Sequence, residues 1–387
     1  MSDKRINLFV PTFDVEECLR QVRECLECGW TGMGYKTVEF EKAWAAYTGL
    51  PHVHFLNSAT AALHLAVQIL GEARGWKPGD QIITTPITFV STNHAILYGG
   101  YEPVFADVGE DLCLDPGSVR TRIGPKTRAI MYVGMGGNAG PIEVIAAIAK
   151  EHGLALIVDA AHMAGTKHRY TGLNVGVEAD ACAFSFQAVK PLATGDAGAI
   201  AFREAEHDAR ARKLSWLGIS KDTYTRTLDP RAYQWDYDVP DVGYKYNGNA
   251  LMAAIALAQL PRLSADNAYR RFLAEAYDDE FSRDMPSTFE VVRHRADIFS
   301  SRHLYQVLVE NRSDVMATLA LQQISCGVHY KPNTEYKPFA NCPGADSCPN
   351  AHSVGKRLLS LPLHLRMSGN DVHIVASALK RAIQGEL

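Results

Sequence analysis

The fold is decided by residues 129–159, which read AIMYVGMGGNAGPIEVIAAIAKEHGLALIVD. The runs AIMYV and LALIV are short and continuously apolar, as strands buried on both faces are. Between them, Ile142, Ile145 and Ile148 recur at a spacing that places them on one face of a helix. A strand, a helix and a second strand in this order predict a crossover unit of a parallel sheet.

The same alternation extends outward from this unit over residues 53–202. Further strand candidates are VHFL (53–56), QIITT (81–85), PVFADV (103–108), ACAFSF (181–186) and GAIAF (198–202). We predict an α/β fold with a mostly parallel sheet covered by helices, which carries ligands at the carboxyl ends of its strands. After about residue 210 the sequence becomes aromatic and turn-rich, then helical with the strand-like run LYQVLV. We therefore predict a large domain over 1–260 and a smaller α+β domain over 261–387.

Composition narrows the possible partners. The chain has 387 residues, of which 47% are hydrophobic, and its net charge is -4. Without a long basic run, neither nucleic acid nor an anionic membrane surface is a favoured partner. The N-terminus does not have the pattern of a signal peptide, and no window approaches the roughly 18 apolar residues of a membrane span. We predict a cytoplasmic protein.

The eight cysteines are scattered, and only Cys25 and Cys28 form a C-x-x-C pair. A zinc site that also uses Cys342 and Cys348 is conceivable. The irregular spacings favour reduced thiols and no metal.

Lys190 lies in FSFQAVKPLATGDAGAIAF (184–202), between an apolar run and a glycine-bearing turn. Burial lowers the pKa of a lysine, and the neutral amine is a nucleophile that forms an imine with a carbonyl. The alternative is a lysine whose stem is buried and whose head reaches water. That alternative is favoured on Lys190 alone.

Two further features lie at predicted strand ends. Asp159 ends LALIV, where its carboxylate could hold a proton on a heteroaromatic nitrogen, or could cap the following turn. Ser58 and Thr60 follow the strand VHFL at the start of a helix, whose free N–H groups suit a phosphate. Simple capping of that helix is the alternative.

GMGGNA (134–139) offers a competing interpretation. It matches G-x-G-x-x-A after a strand, and Asp159 lies twenty residues beyond Ala139. This is the pattern of an NAD(P) or flavin oxidoreductase. It lies in mid-chain, however, and leaves Lys190 and the Ser58 turn unexplained.

One cofactor accounts for the remaining pieces together. Pyridoxal 5'-phosphate needs an amine for its aldehyde, an acid for its ring nitrogen, a phosphate cup and a flat side chain on its ring. Lys190, Asp159, the 58–61 turn with Ser185, and Phe89 can supply them.

The sequence resembles the DegT/DnrJ/EryC1/StrS family of sugar aminotransferases along nearly its whole length. The matching segments, in order, are GWTGMGYKTVEFEKAWAAYTG, NSATAALHLA, TTPITFVSTNHAILYGGYEPVFADV, VDAAHMAGT, SFQAVKPLATGDAGAI, GYKYNGNALMAAIALAQL, GVHYKP and LLSLPLH. The resemblance implies a fold-type I pyridoxal-phosphate enzyme with a large mixed-sheet domain and a smaller α+β domain.

The resemblance also implies roles for individual residues. Lys190 resembles the Schiff-base lysine, Asp159 the partner of the pyridine nitrogen, and His162 the residue near the ring hydroxyl. The other implied cofactor contacts are Ser58, Ala59, Thr60, Phe89, Ser185, Lys245 and Asn247. The last two stand in a segment that reaches a neighbouring subunit's phosphate in such enzymes, which implies a homodimer with shared sites.

The implied reaction moves an amino group from L-glutamate to a keto or aldehyde sugar, one linked to a nucleotide. A branch of the family with His at the lysine position dehydrates sugars, and the presence of Lys190 favours amino transfer. The candidate acceptor residues are His329, Tyr330, Lys331, Lys221 and Arg226, for which solvated surface is the alternative. Ala59, GDAG (195–198) and GMGGNAG (134–140) depart from the family pattern, and the last of these could alter the substrate pocket.

Overall fold

The computed structural model describes residues 5–220 and 237–385. Its helices in these ranges are α1 (Val15–Glu27), α2 (Tyr35–Thr48), α3 (Ala59–Arg74), α4 (Val90–Tyr98), α5 (Pro116–Arg122), α6 (Ile142–Glu151), α7 (Ala205–Ser215), α8 (Ala250–Gln259), α9 (Leu263–Glu280), α10 (Arg312–Leu321), α11 (Pro349–Arg357) and α12 (Gly369–Gln384). Its strands are β1 (Val53–Leu56), β2 (Gln81–Thr84), β3 (Glu102–Phe105), β4 (Thr127–Val133), β5 (Ala155–Asp159), β6 (Lys167–His168), β7 (Ala181–Ser185), β8 (Gly198–Phe202), β9 (Glu290–Val291), β10 (Ile298–Phe299), β11 (Tyr305–Leu308) and β12 (Leu358–Leu361).

The centre of the molecule is a seven-stranded sheet in the order β1-β8-β7-β5-β4-β2-β3. The pairs β3–β2, β2–β4, β4–β5 and β5–β7 are parallel, as the alternation of apolar runs and helices predicts. Within β5, Leu156 and Val158 belong to one apolar cluster and Ile157 to the other. The sheet is therefore covered on both faces, and the α/β fold class is confirmed.

Strand β8 is the exception to the parallel pattern. It pairs antiparallel with both β7 and β1, and Gly198 lies opposite Ser185 on one side and Leu56 on the other. The start of β8 therefore lies beside the ends of its two neighbours. This arrangement places residues 56–58, 185–190 and 198 at one edge of the sheet.

An aromatic cluster holds α2 against this part of the sheet. The Phe40 ring packs edge-on against Phe55 and Phe186, and Trp44 packs edge-on against Phe184 and Phe186. All five side chains are fully buried. Burial of each such side chain contributes about 1.5–3 kcal/mol to the free energy of folding. The end of β7, from which the turn after Phe186 starts, is therefore held rigidly in place.

A second, antiparallel sheet in the order β12-β11-β9 lies in the C-terminal part of the chain. Helices α9 and α12 pack against each other and share an apolar core with this sheet. Ile6 belongs to the same core, and its N–H donates to the carbonyl of Gln323 at 3.0 Å. The domain boundary at 260/261 stays a prediction.

None of the helices in the described ranges is long and apolar enough to cross a membrane.

Candidate functional site

The predicted site residues gather at the carboxyl edge of the large sheet. Asp159 is the last residue of β5, Ser185 is the last residue of β7, and Lys190 lies in the turn that follows β7. The Lys190 N–H donates to the Gln187 carbonyl at 2.8 Å, which closes that turn. Because neighbouring parallel strands end at the same edge, an amine and a carboxylate far apart in sequence come into each other's electrostatic range.

Asp159 is only 5% exposed, and both of its carboxylate oxygens are engaged. Oδ2 accepts from the Thr92 hydroxyl at 2.7 Å, and Oδ1 accepts from the Ala161 N–H at 3.0 Å. The Thr92 oxygen lies 2.8 Å from that of Thr88, which donates to it since Thr92 has given its proton to Asp159. Burial raises the pKa of Asp159, and these two bonds and the field of Lys190 oppose the rise.

Lys190 is half-buried, and its surroundings favour the neutral amine. Burial lowers the pKa of Lys190 to about 8, although the nearby Asp159 carboxylate acts in the opposite direction. An amine with such a pKa is partly uncharged near neutral pH. It can therefore act as a nucleophile and as a base.

His162 lies on the turn after β5 and is 5% exposed. Its Nδ1 accepts from the Gly136 N–H at 3.2 Å, and its Nε2 lies 3.3 Å from the Tyr330 hydroxyl. Because Nδ1 is an acceptor, the ring proton belongs on Nε2. Burial holds the pKa of His162 well below its usual value, with smaller contributions from Lys190 and His329, so the ring is neutral.

The turn at Ser58 begins α3. The Ser58 side chain caps the helix by accepting from the Ala61 N–H at 3.1 Å. The N–H groups of Ala59 and Thr60, in the first turn, have no acceptor among the described residues. A helix start with free donors is suited to an anion, and it lies beside the start of β8.

Replacement of Gly198 by alanine is expected to disrupt this turn. A Cβ there would lie 2.4 Å from the Ser58 carbonyl carbon and 2.5 Å from the Ala59 nitrogen. Both are backbone atoms, so relieving the clash would require the main chain to move. We expect a loss of about 1–3 kcal/mol in the free energy of unfolding, together with weaker binding of phosphate compounds.

Chemical denaturation and titration with pyridoxal phosphate measure the two effects of Gly198→Ala. Gly195→Ala is the matched control in the same loop, since its Cβ would meet only the end of Met252 at 3.9 Å. Wild-type stability and wild-type affinity in Gly198→Ala would contradict the close approach of β8 to the turn.

The segment 244–248 runs alongside the Ser58 turn of the same chain. The Asn57 amide donates to the Lys245 carbonyl at 3.1 Å, and Asn247 forms a bridge with Leu56. The Lys245 ammonium lies 3.2 Å from the centre of the Trp216 ring, and burial lowers its pKa. The Asn247 Oδ1 is buried without a hydrogen-bond partner among the described residues. Contact with a neighbouring subunit stays a prediction.

Phe89 and the 329–331 loop meet on the other side of the site. Phe89 is 56% exposed at the start of α4, and its ring centre lies 5.8 Å from that of Tyr330. His329 Nδ1 lies 3.0 Å from the Ser360 hydroxyl, and burial lowers the pKa of His329 to about 4. Burial raises the pKa of Tyr330.

Lys331 lies at the exposed end of that loop and pairs with Glu335 at 3.2 Å. Lys221 and Arg226, the other predicted acceptor residues, lie outside the described residues.

The glycine loop 134–140 does not form a dinucleotide turn. Met135–Gly137 make a single 3-10 turn, and α6 begins only at Ile142, so the motif does not open the helix as the fingerprint requires. The loop is buried, and the Gly136 N–H is already bonded to His162. The dinucleotide interpretation of GMGGNA is wrong, because the fingerprint requires the glycine turn to lead directly into a helix whose N-terminus holds the phosphate, and this loop does not.

Sequence reasoning missed Thr92 and His303. Thr92 falls within the quoted run TTPITFVST, one helical turn after Phe89, but only the fold shows that it reaches Asp159. The His303 ring centre lies 4.5 Å from that of His162. Its only signal in the sequence is a histidine just before a strand.

No group of three or more His, Cys, Asp and Glu side chains that could hold a metal ion occurs in residues 5–220 and 237–385. All eight cysteines are free thiols.

Comparisons with known proteins bear on the identity of this site. The family model of the DegT/DnrJ/EryC1/StrS aminotransferase family matches residues 13–380. The spore coat polysaccharide biosynthesis protein SpsC of Bacillus subtilis is 36% identical over 97% of this chain and 96% of its own length.

Among solved structures, the aminotransferase TlmJ from Streptoalloteichus hindustanus is 30% identical, covers 99% of this chain and 100% of its own, and superimposes with a TM-score of 0.89. Helicobacter pylori PseC, an aminotransferase involved in the biosynthesis of pseudoaminic acid, is 26% identical with the same coverage and a TM-score of 0.88. The PLP-form of the putative sugar aminotransferase Spr1654 from Streptococcus pneumoniae is 26% identical over 99% of this chain and 100% of its own, at a TM-score of 0.88. The chain belongs to the DegT/DnrJ/EryC1/StrS family of aminotransferases.

Proposed function

We propose that this pyridoxal-phosphate-dependent aminotransferase transfers the amino group of L-glutamate to a keto or aldehyde group of a nucleotide-linked sugar. The observation that carries the proposal is the lysine of lowered pKa within electrostatic range of a buried carboxylate at the edge of the sheet. The family supplies the cofactor and the sugar class. The donor, the nucleotide and the roles of individual residues are our proposal.

The residues at the site fit the chemistry of pyridoxal phosphate. The first turn of α3 offers two N–H groups without acceptors among the described residues, and the Ser58 and Thr60 hydroxyls stand in the same turn. A phosphate therefore has donors at one end, while Asp159 and Lys190 lie at the neighbouring strand ends.

When bound, pyridoxal phosphate supplies an aldehyde that condenses with primary amines and a ring that accepts the electron pair of a broken C–H bond. Lys190 moves the proton: its neutral Nζ takes the proton from the α-carbon of the amino acid and returns it to the cofactor's C4′. Asp159 holds the ring nitrogen in its protonated form, for which a carboxylate fixed by Thr92 and Ala161 is preorganised. The neutral His162 presents its Nε2–H beside Tyr330, on the side we assign to the ring hydroxyl.

The Tyr330 ring lies within 6.0 Å of both the Phe89 and the His162 rings, and we assign it, with its neighbour His329, to the sugar acceptor. Lys331, Lys221 and Arg226 are our candidates for the charged groups of the nucleotide. We further propose a homodimer in which the segment around Lys245 and Asn247 completes the partner's phosphate site. Light scattering of the purified protein tests the dimer, and the monomer mass would contradict it.

The purified protein, loaded with pyridoxal phosphate, tests the donor directly. Adding L-glutamate should convert the visible absorbance band of the bound cofactor and release 2-oxoglutarate in equal amount. L-Glutamine and L-aspartate are the comparison donors. A band that responds to another amino acid but not to glutamate would overturn the donor assignment and leave amino transfer intact.

The amine of Lys190 makes capture of the cofactor dependent on pH. In the cofactor-free protein its pKa of about 8 leaves mostly ammonium below that pH, and the neutral fraction rises about tenfold per unit up to the midpoint. We expect the rate at which added pyridoxal phosphate regains the visible band to rise with pH and to level off above about 8. Stopped-flow absorbance measures it.

Free lysine in solution is the control for this rate, since its amine keeps the ordinary, higher pKa. A capture rate that does not change across the midpoint would contradict the lowered pKa of Lys190.

A further inference from the structure

A short segment, residues 300–304, joins the small sheet to the site and has no role in the mechanism above. It leads into β11. The Ser301 hydroxyl donates to the His162 carbonyl at 2.5 Å, and the Ser300 hydroxyl donates to the Gly137 carbonyl at 2.9 Å. The Leu304 N–H donates to the Gly136 carbonyl at 3.3 Å. The segment therefore holds both the main chain of His162 and the loop whose N–H binds the His162 ring.

The glycines of the 134–140 loop make this close contact possible. A Cβ on Gly137 would lie 2.3 Å from the Ser301 hydroxyl oxygen, and a Cβ on Gly136 would lie 2.8 Å from Gln306 Oε1. Both glycines have positive φ values, 65° and 93°, which other residues rarely adopt. The loop departs from the family's usual run, and in this chain its glycines admit the 300–304 segment.

A column of rings fixes the tilt of the His162 ring. His303 is 4% exposed, and its ring centre lies 4.5 Å from His162 on one side and 5.5 Å from Phe9 on the other. Tyr330 lies beyond His162 at 6.0 Å, with its ring inclined by 25°. Among the described residues, His303 makes ring contacts and has no hydrogen-bond partner.

We infer that His303 is a positioning residue: with Ser301 and Gly136, its ring holds His162 as a neutral imidazole protonated on Nε2. The Gly136 N–H selects the tautomer, and the His303 ring, inclined by 50° to that of His162, packs against it and keeps it in the orientation where that hydrogen bond forms. The importance of this tautomer for catalysis rests on the proposed function, since it determines whether His162 offers a donor or a lone pair to the cofactor's ring oxygen.

The groups around His162 are arranged to keep it uncharged. Lys190, His303, His329 and Tyr330 are the titratable neighbours that face it, and burial holds the pKa of His303 and of His329 below the usual value. A neutral ring packed against His162 excludes water without adding a charge. A phenylalanine at position 303 would keep these properties, and an alanine would lose them.

The tautomer can be measured without the cofactor. In cofactor-free protein labelled with ¹⁵N-histidine, the ring nitrogen shifts of His162, assigned through His162→Gln, report which nitrogen carries the proton. We expect wild type and His303→Phe to show the Nε2–H form, and His303→Ala and Ser301→Ala to show a mixture. Val307→Ala is the matched control, because it removes buried side chain from β11 outside the ring column.

With pyridoxal phosphate bound, the pH midpoint of the visible band gives a second readout. In His303→Ala we expect it to rise by about one unit, because the cofactor's ring oxygen loses the N–H that stabilises its anionic form. His303→Phe should stay at the wild-type midpoint, whatever its thermal stability.

Two results would overturn the inference. One is a wild-type tautomer and midpoint in His303→Ala. The other is a His303→Phe variant as altered as His303→Ala, which would assign the effect to the ring nitrogens of His303 instead of the packing of its ring. Absence of any cofactor band in the wild-type protein would contradict the proposed function while leaving the NMR result to stand alone.

Discussion

Lys190→Ala is expected to lower kcat for amino transfer by about 10⁴-fold, the largest effect of any single substitution in this chain. The amine that captures the cofactor and the base that moves the proton are the same atom, and alanine removes both functions. Binding through the Ser58 turn and Asp159 should survive, because neither contacts the Lys190 side chain through a hydrogen bond. Steady-state release of 2-oxoglutarate measures the loss.

Covalent attachment separates the effect of Lys190→Ala from misfolding. Borohydride reduction followed by peptide mapping should place the cofactor on residue 190 in the wild type and on no residue in the variant. Lys190→Arg is the matched control, since it keeps a cation and a long stem but stays protonated. A wild-type label at another lysine, or substantial turnover in Lys190→Ala, would refute the assignment.

Asp159→Asn should be the second most damaging change, with a loss of about 10³-fold in kcat. The amide oxygen can still accept from the Ala161 N–H, and the amide NH₂ can donate to the Thr92 hydroxyl, whose own proton can turn towards Thr88. The fold should therefore remain. It carries no charge, however, and does not hold a proton on the ring nitrogen. We expect the cofactor to bind and absorb while its response to glutamate becomes slow.

Asp180→Asn is the control for a carboxylate in the same sheet. Asp180 lies at the opposite edge, where its Oδ2 accepts from the Leu156 N–H at 2.9 Å and Oδ1 pairs with Arg74 at 3.1 Å. Loss of the Asp180 charge should lower the free energy of unfolding and leave the absorbance response of the bound cofactor to glutamate unchanged. Wild-type kcat in Asp159→Asn would show that the ring nitrogen does not depend on this carboxylate.

The strands and the edge where the site lies were predictable because apolar runs and strand ends are local signals. β1 and β8 have the predicted bounds, and β5 differs from LALIV by one residue at each end. Lys190 and Asp159 could be placed near each other because parallel strands end together. For the C-terminal part, the sequence predicted only a smaller α+β domain and one strand-like run, LYQVLV, which contains β11.

The rest depended on contacts between distant parts of the chain. The reversed direction of β8 has no signature in GAIAF, since an apolar run reads the same in either direction. The GMGGNA loop matches a dinucleotide-binding motif that is defined by six consecutive residues. Its actual contacts, however, are with residues 300–304, far away in the sequence. Thr92 and His303 act on Asp159 and His162 across 67 and 141 positions of sequence, which no pattern within one segment encodes.

The pairing of Leu56 with both Gly198 and Asn247 affects how the polypeptide matures during translation. The strand that carries the Ser58 turn leaves the ribosome early, yet its partners emerge some 140 and 190 residues later. Cofactor capture must therefore wait until most of the chain is synthesised, and the contacts of residues 300–304 with His162 form later still. Vitamin B6 in the cell is thus expected to rescue destabilised variants by trapping completed molecules, without speeding the earliest steps of folding.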